Sequence, residues 1–351
     1  MIATRALDKT EILKWLREED PQALSELYAE ADRKRSEVVG DAVHLRGLVE
    51  ISNYCVRECG YCGLRASHRD LKRYRLSREE ILGCAHEAVE LGYGTVVLQA
   101  GEDYGVRSSW LAEIVRRIKQ ETPLAVTLSM GERPNEDLRT WREAGADRYL
   151  LRFETSDPAL YALIHPPRGT VPSDRIAILK TLRQLGYEAG SGVMIGIPGQ
   201  TFESLAADIE MFRHLDLDMI GVGPYISHPA TPLGSGLWRR QVAPSEQVPN
   251  TEEMVYKVVA LARLACPSAN IPSTTALATI NLRNGRELGL GRGANVVMPN
   301  LTPVVYRSLY EIYPSKACIF ETASTCYSCL NQRIASIGRS VGSGPGGRVS
   351  W

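Results

Sequence analysis

The chain has 351 residues, 44% of them hydrophobic and 7% aromatic, and its 41 Lys and Arg balance 41 Asp and Glu. That apolar fraction excludes disorder as the main state, and the zero net charge argues against nucleic acid as the principal partner, which would call for a basic excess. The length suits two ordinary domains or one large α/β barrel.

The opening segment is charged and helix-like, with no apolar core for a signal peptide or a membrane anchor. A cytoplasmic protein with no membrane partner is expected. Residues 8–40 read as two helices packed outside the main body. From residue 45, short apolar or β-branched runs alternate with amphipathic helical runs. The strand candidates are 45–52, 94–100, 124–130, 147–153, 188–197, 219–226, 271–277 and 294–299. Patterns such as SREEILGCAHEAVELG and TFESLAADIEMFRHLD separate most of them. Eight strands with crossover helices predict an α/β fold of the (β/α)8 TIM-barrel type. A doubly wound open sheet is the alternative, because strand count alone does not establish closure. The expected organisation is an N-terminal helical extension (1–44), the barrel (45–304) and a C-terminal extension (305–351). The Gly- and Ser-rich tail of that extension is expected to fray.

Eight cysteines punctuate this pattern. In a reducing cytosol, clustered cysteines bind metal or do redox chemistry more often than they form structural disulfides. Cys84 in a helical run and Cys266 at a helix end read as buried structural thiols. The other six form two groups. Cys55, Cys59 and Cys62 follow the first strand with the spacing C-x3-C-x2-C. Three thiolates on one short loop can hold three irons of a 4Fe–4S cluster and leave the fourth open. A structural zinc site would want a fourth ligand, for which His44 and His68 are the local candidates.

The aromatic Tyr61 just before the third cysteine sharpens the reading. A C-x3-C-x-aromatic-C loop after strand one of a βα barrel resembles the radical S-adenosylmethionine (SAM) superfamily. The resemblance implies that SAM chelates the open iron through its amino and carboxylate groups. It further implies that an electron from the cluster cleaves the sulfonium to methionine and a 5′-deoxyadenosyl radical. Tyr61 would then lie beside the adenine, and the run from Gln99 to Asp103, with Glu102, would support the methionine amino group. Glu154, closing strand four, resembles the acid that binds the ribose hydroxyls, and the loop Gly196–Gln200 resembles the one flanking adenine. Arg175 looks like a partner of the SAM carboxylate, and Ser129 and Met194 complete the expected SAM set. The plainer alternatives are an ordinary βα turn with helix-capping acids at 99–103 and a bare GxxG at 196–199. Joint placement favours the SAM reading: Cys55, Gln99, Ser129, Glu154, Met194 and Thr274 would all fall at the C-terminal ends of successive strands, where barrel enzymes keep their chemistry.

Within the superfamily, the stretch from about residue 40 to residue 340 resembles the HydE family of FeFe-hydrogenase maturases. The matching segments include GLRASHRDLKRYRLSREEI, AVTLSMGERP, GYEAGSGVMIGIPGQT, NIPSTTALATI and CIFETASTCYSC. The resemblance implies radical attack on the sulfur of an iron synthon carrying CO, cyanide and a cysteine ligand, building a diiron precursor of the hydrogenase active-site subcluster. It implies three kinds of partner: a ferredoxin or flavodoxin as electron donor, a tyrosine-cleaving maturase and a GTPase scaffold. Arg152 on strand four, with Thr274 and Thr275 on strand seven, would hold the carboxylate or cyanide of the substrate. The alternative for Arg152 is a simple pair with Glu154.

The second group, Cys318, Cys326 and Cys329, sits in the C-terminal extension. In the resembling family such a triplet can hold an auxiliary 2Fe–2S or 4Fe–4S cluster; a zinc site or adventitious thiols are the other readings. This extension need not reach the SAM site. Methylornithine synthase is a rival that lacks the second triplet. Biotin synthase is another, but should carry three further cysteines and an arginine on inner strands. A non-catalytic iron–sulfur scaffold is the alternative from outside the enzymes, and it would leave the SAM-type segments unexplained.

Overall fold

A computed structural model of the chain describes residues 7–169 and 173–349, so the helical pattern read over the first six residues lies outside it. Two helices come first, α1 (Lys9–Arg17) and α2 (Pro21–Val39). Asp8 opens α1 through a capping box with Glu11, and Asp20 caps α2 ahead of Pro21, a first-turn position where a missing N–H costs nothing. There follow β1 (Ala42–Ser52), α3 (Arg78–Glu90), β2 (Thr95–Ala100), α4 (Ser108–Glu121), β3 (Ala125–Ser129), α5 (Asn135–Glu143), β4 (Arg148–Leu150), α6 (Pro158–Ile164) and α7 (Arg175–Gln184). The second half has β5 (Glu188–Ser191), β6 (Met194–Ile195), α8 (Phe202–His214), β7 (Met219–Ile220), β8 (Gly223–Pro224) and α9 (Glu252–Ala265). It ends with α10 (Thr275–Ile280), α11 (Gly285–Leu290), β9 (Val296–Val297), α12 (Val304–Arg307), α13 (Ala323–Ser336) and β10 (Ser340–Val341). The two leading helices pack on α8 and α9. No helix among the described residues is long and apolar enough to cross a membrane.

Strands β1 to β5 pair in order, all parallel, and β7 follows β5. The ring then closes. Asn270 bridges Met219 of β7, Pro272 bridges Val296 of β9, and β9 pairs with β1 through His44–Val296 and Leu45–Val297. The short segment 270–272 is therefore the seventh stave of a closed parallel barrel, which excludes the open sheet. Alternation along the staves separates two environments. Arg46, Leu48, Glu50, Val97, Gln99 and Thr127 line the lumen. Val49, Ile51, Val96, Leu98, Val126 and Leu128 are buried in the core outside it.

Three expectations are corrected. The runs 188–197 and 219–226 are each split in two. Gly192 and Gly221 come so close at the split that a Cβ on Gly192 would lie 1.8 Å from the Gly221 carbonyl oxygen; beyond it, β6 and β8 pair with each other instead of with the ring. The run 271–277 does not continue as a strand either. Thr274 is the N-cap of α10, its side chain accepting from the Leu277 N–H, and Thr275 is the first helical residue. A hydroxyl that satisfies a free helix donor outweighs the β preference of threonine here. Finally, the Gly- and Ser-rich tail does not fray. β10 pairs with β1, the Pro345 carbonyl accepts from Thr95 Oγ1 at 2.9 Å and Arg148 Nη2 at 3.1 Å, and the Gly346 carbonyl accepts from Arg46 Nη2 at 2.9 Å. The buried arginines of the barrel floor need acceptors, and the tail backbone supplies them.

Candidate active site

The loop between β1 and α3 carries the first cysteine group and is held from several sides. Asn53 donates to the carbonyls of Lys72 and Leu309 at 2.9 and 2.7 Å, and Arg73 donates to the carbonyls of Leu64 and Arg65 at 2.8 and 2.7 Å. Val56 N–H donates to the Glu102 carbonyl at 3.0 Å, and Gly60 N–H to the Ile164 carbonyl at 2.8 Å. Gly101 lets the β2 loop approach: a Cβ there would stand 2.2 Å from the Tyr54 carbonyl oxygen and 3.0 Å from Cys55 Cβ. All three thiols are free. Burial pushes each one up, Cys62 to about 12, and the charge of the neighbouring thiols adds to the shift in Cys59 and Cys62. Such thiols ionise only when a strong cationic group takes the place of their protons, which fits an iron cluster.

A network of charged side chains, not anticipated from the sequence, backs this loop. Arg57, between the first two cysteines, places Nε 2.7 Å from Glu102 and Nη2 2.6 Å from Glu132. Glu132 also meets His165 Nε2 at 3.0 Å, Ser173 Oγ at 2.6 Å and Arg175 Nε at 2.9 Å. Burial alone would push Glu132 up, but the His165 bond, the Arg175 charge and Ser173 together hold it well below the carboxylate range. Arg175 further donates to the Arg152 carbonyl at 2.7 Å. Glu102 accepts the Glu132 N–H at 2.9 Å on its second oxygen, so both its oxygens already have partners.

Glu154 stands apart. It follows β4 with φ at 63°, a left-handed conformation that a non-glycine residue holds only when its surroundings impose it. The imposition is visible: Glu154 N–H donates to the Gly192 carbonyl at 3.1 Å, and buried Asp208 accepts the next turn through Ser156 N–H at 2.5 Å and Ser156 Oγ at 2.6 Å. Tyr61 donates its hydroxyl to Glu154 Oε1 at 3.4 Å, while Arg152 Nη2 lies 3.0 Å from Oε2. The alignment of that last contact makes no hydrogen bond, and Glu154 Oε2 and Arg152 Nε remain buried without partners. An unpartnered acid acceptor at this depth fits a ligand hydroxyl. Met194 packs in the same small apolar cluster as Tyr61. Gln99 donates to Tyr310 Oη at 3.2 Å, and Ser129 ends β3, half-buried.

A cavity of about 170 Å³ occupies the lumen, with Gln99, Arg152, Thr274 and Thr275 on its wall. Glu50 and Lys316 face it as a buried pair 2.7 Å apart. Glu50 had a signal in the sequence: a charge at the alternate positions of Arg46 and Leu48 on an otherwise apolar strand. The second cysteine group reaches this cavity. Cys318 and Cys326 line it, and a second cavity of about 260 Å³ touches all three cysteines from the other side. Arg286 Nη2 lies 3.6 Å from Cys318 Sγ. The Cys326 thiol donates to Cys318 and holds it down to about 6, while Cys326 is pushed up in turn. Cys329 lies one turn on in α13 and is exposed.

Known proteins match this arrangement. The family model of the radical SAM superfamily matches residues 49–212. The chain is 43% identical over 356 residues to the [FeFe] hydrogenase maturase subunit HydE of Thermotoga maritima, covering 99% of this chain and 98% of that one. It is 29% identical to the 3-methylornithine synthase of Methanosarcina acetivorans over 80% of this chain and 75% of that one. The crystal structure of a methylornithine synthase superposes with a TM-score of 0.80 at 24% identity, covering 97% and 95% of the two chains. A closed parallel barrel with three thiols on the loop after its first strand, one buried and two half-buried, and a sequence matched along its whole length, belongs to the radical SAM superfamily of enzymes and, within it, to the HydE family.

Proposed function

We propose that the chain is a radical SAM enzyme of FeFe-hydrogenase maturation whose substrate is a cysteine-ligated iron carrying two CO and one cyanide. Cys55, Cys59 and Cys62 hold a 4Fe–4S cluster. Bound there, the cluster supplies the electron that cleaves SAM to methionine and a 5′-deoxyadenosyl radical, and the substrate sulfur is the point of attack. The observation that carries this reading is one chain of contacts. It runs from the cysteine loop through Tyr61 to Glu154, and from Glu154 to Arg152 on the wall of the lumen cavity.

In this reading the residues bind, orient and exclude water. Glu154 Oε2 accepts a ribose hydroxyl, and Tyr61 lies against the adenine with Met194. Gln99, Ser129 and the 101–103 turn face the methionine end. Glu102, held between Arg57 and the Glu132 N–H, supports that turn and keeps a lone pair on each oxygen for the amino group. Arg175 keeps one N–H on each of its two terminal nitrogens for the SAM carboxylate. Arg152, with Thr274 and Thr275 at the start of α10, faces the anionic substrate. The closed barrel, floored by its own tail, shields a primary carbon radical from solvent. The auxiliary cluster at Cys318, Cys326 and Cys329, the ferredoxin or flavodoxin donor and the two maturase partners belong to the same proposal.

The test is anaerobic reconstitution, dithionite reduction and addition of SAM, with and without the synthon. Deoxyadenosine products that rise sharply with the synthon support the reading. Cleavage that ignores the synthon keeps the radical enzyme and removes this substrate. No cleavage leaves a scaffold.

A further inference from the structure

His165 is the C-cap of α6 and has no exposed side-chain surface. Its Nδ1 lies 3.0 Å from the sulfur of Cys59, and its Nε2 lies 3.0 Å from Glu132 Oε1 and 3.2 Å from Arg175 Nη2. Tyr161 packs on the ring with centroids 5.2 Å apart, and the backbone beside it is tied to the cysteine loop where Gly60 N–H donates to the Ile164 carbonyl at 2.8 Å. The imidazole therefore has one orientation, and that orientation points a ring nitrogen at one sulfur of the cysteine loop. Among the described residues no ring nitrogen or other side-chain donor falls on the sulfurs of Cys55 and Cys62, which meet backbone N–H groups only, Cys55 that of Arg57 at 3.5 Å.

We propose that His165 is a positioning residue that donates an Nδ1–H hydrogen bond to the Cys59 sulfur and thereby raises the reduction potential of the cluster held there. This deepens the proposed function and rests on its assignment of a 4Fe–4S cluster to Cys55, Cys59 and Cys62. An iron-bound thiolate has no proton to give, so the 3.0 Å contact requires the proton on Nδ1. Nε2 then carries a second proton, shared with the Glu132 carboxylate 3.0 Å away, and that bond keeps the ring in place. A one-electron reduction by an external carrier protein adds negative charge to the cluster and its sulfurs. A fixed N–H aimed at one of them stabilises the reduced form more than the oxidised one. The same bond singles out the iron of Cys59 among the three that the protein holds.

The experiment is a redox titration of the reconstituted full-length protein, monitored by electron paramagnetic resonance on the signal that addition of SAM perturbs. Three variants separate a hydrogen bond from mere packing. The amide nitrogen of H165N falls near the position of Nδ1 and keeps the donor to sulfur, whereas that of H165Q falls near Nε2 and keeps only the Glu132 contact. H165F keeps neither. The expected result is a near-native potential in H165N and a more negative one in H165Q and H165F. The expected shift is about tenfold in the reduction equilibrium, or about 59 mV for one electron. Equal potentials in H165N and H165Q, at native iron content, overturn the proposal and leave the cluster assignment standing. Should H165F fail to take up iron, the H165N and H165Q pair still decides. A wild-type protein that assembles no SAM-sensitive cluster overturns the proposal and the cluster assignment together.

Discussion

Cys55, Cys59 and Cys62 stand on a loop pinned by Asn53, Arg73 and three backbone contacts, whereas Cys318 sits in a left-handed conformation, φ 62°, and Cys326 and Cys329 ride on one face of α13. In the first group burial dominates. The thiols raise one another, and a cation of high charge is needed to draw off their protons. In the second group the neighbouring thiol dominates: Cys326 holds Cys318 down to about 6, below the ordinary thiol range. Equal numbers of cysteines thus give two chemistries. The first site is built to be neutral when empty and rigid when filled. The second has on the cavity wall a thiol whose pKa is held down to about 6, with an exposed thiol nearby on α13.

The comparison breaks most severely if the first site is not a cluster site. C59A is expected to abolish SAM-sensitive cluster assembly and reduce deoxyadenosine formation to background, measured after anaerobic reconstitution. Retained cleavage would mean that the irons are held elsewhere. Next in size is the charged backing. R57L leaves the carboxylates of Glu102 and Glu132 facing each other in a buried site, and breaking one side of such a pair costs about 3–5 kcal/mol. The midpoint of chemical denaturation of the metal-free protein should fall accordingly, with no comparable fall for R286L beside Cys318. A smaller effect is expected from G101A. The added methyl would meet the Tyr54 carbonyl and Cys55 Cβ, and overpacking of this kind costs about 1–3 kcal/mol. Iron content at the SAM-sensitive site should drop.

Much of the first site was legible because its residues are near in sequence and their spacing carries the chemistry. The strands were legible from period-two patterning, since each has one face on the lumen and one on the helices. What escaped was assembled by the fold. Arg57, Glu132 and His165 come from three separate loops, and nothing local in any of them demands the others. Thr274 and Thr275 read as strand because β-branched residues favour it; that Thr274 caps α10 and Thr275 begins it is decided by where the chain turns. The tail composition signals a segment without a core of its own. It could not signal that Arg46 and Arg148, far away on β1 and β4, would lack acceptors without it. Nothing in the spacing of Cys318 and Cys326 signals that the chain returns to place them on the cavity wall.

The smallest expected effect sharpens the second half of the comparison. In metal-free protein, alkylation of Cys318 should speed up as pH rises through about 6, because the reactive thiolate forms above its pKa, and should level off by about pH 7. The cause named first is the bond from Cys326. C326A should therefore move the rise to higher pH, toward the ordinary thiol range, leaving the Arg286 and Arg333 charges to oppose burial. Mass spectrometry of the labelled peptide gives the profile. A C326A profile that does not move would assign the low pKa to Arg286 instead, and R286L would then carry the shift. The same C326A protein should retain much of its SAM cleavage, because the SAM-binding side of the lumen, from Cys55 to Glu154, contains no residue of α13. Loss of cleavage in C326A with the first cluster intact would merge the two sites into one catalytic unit and end the contrast between them.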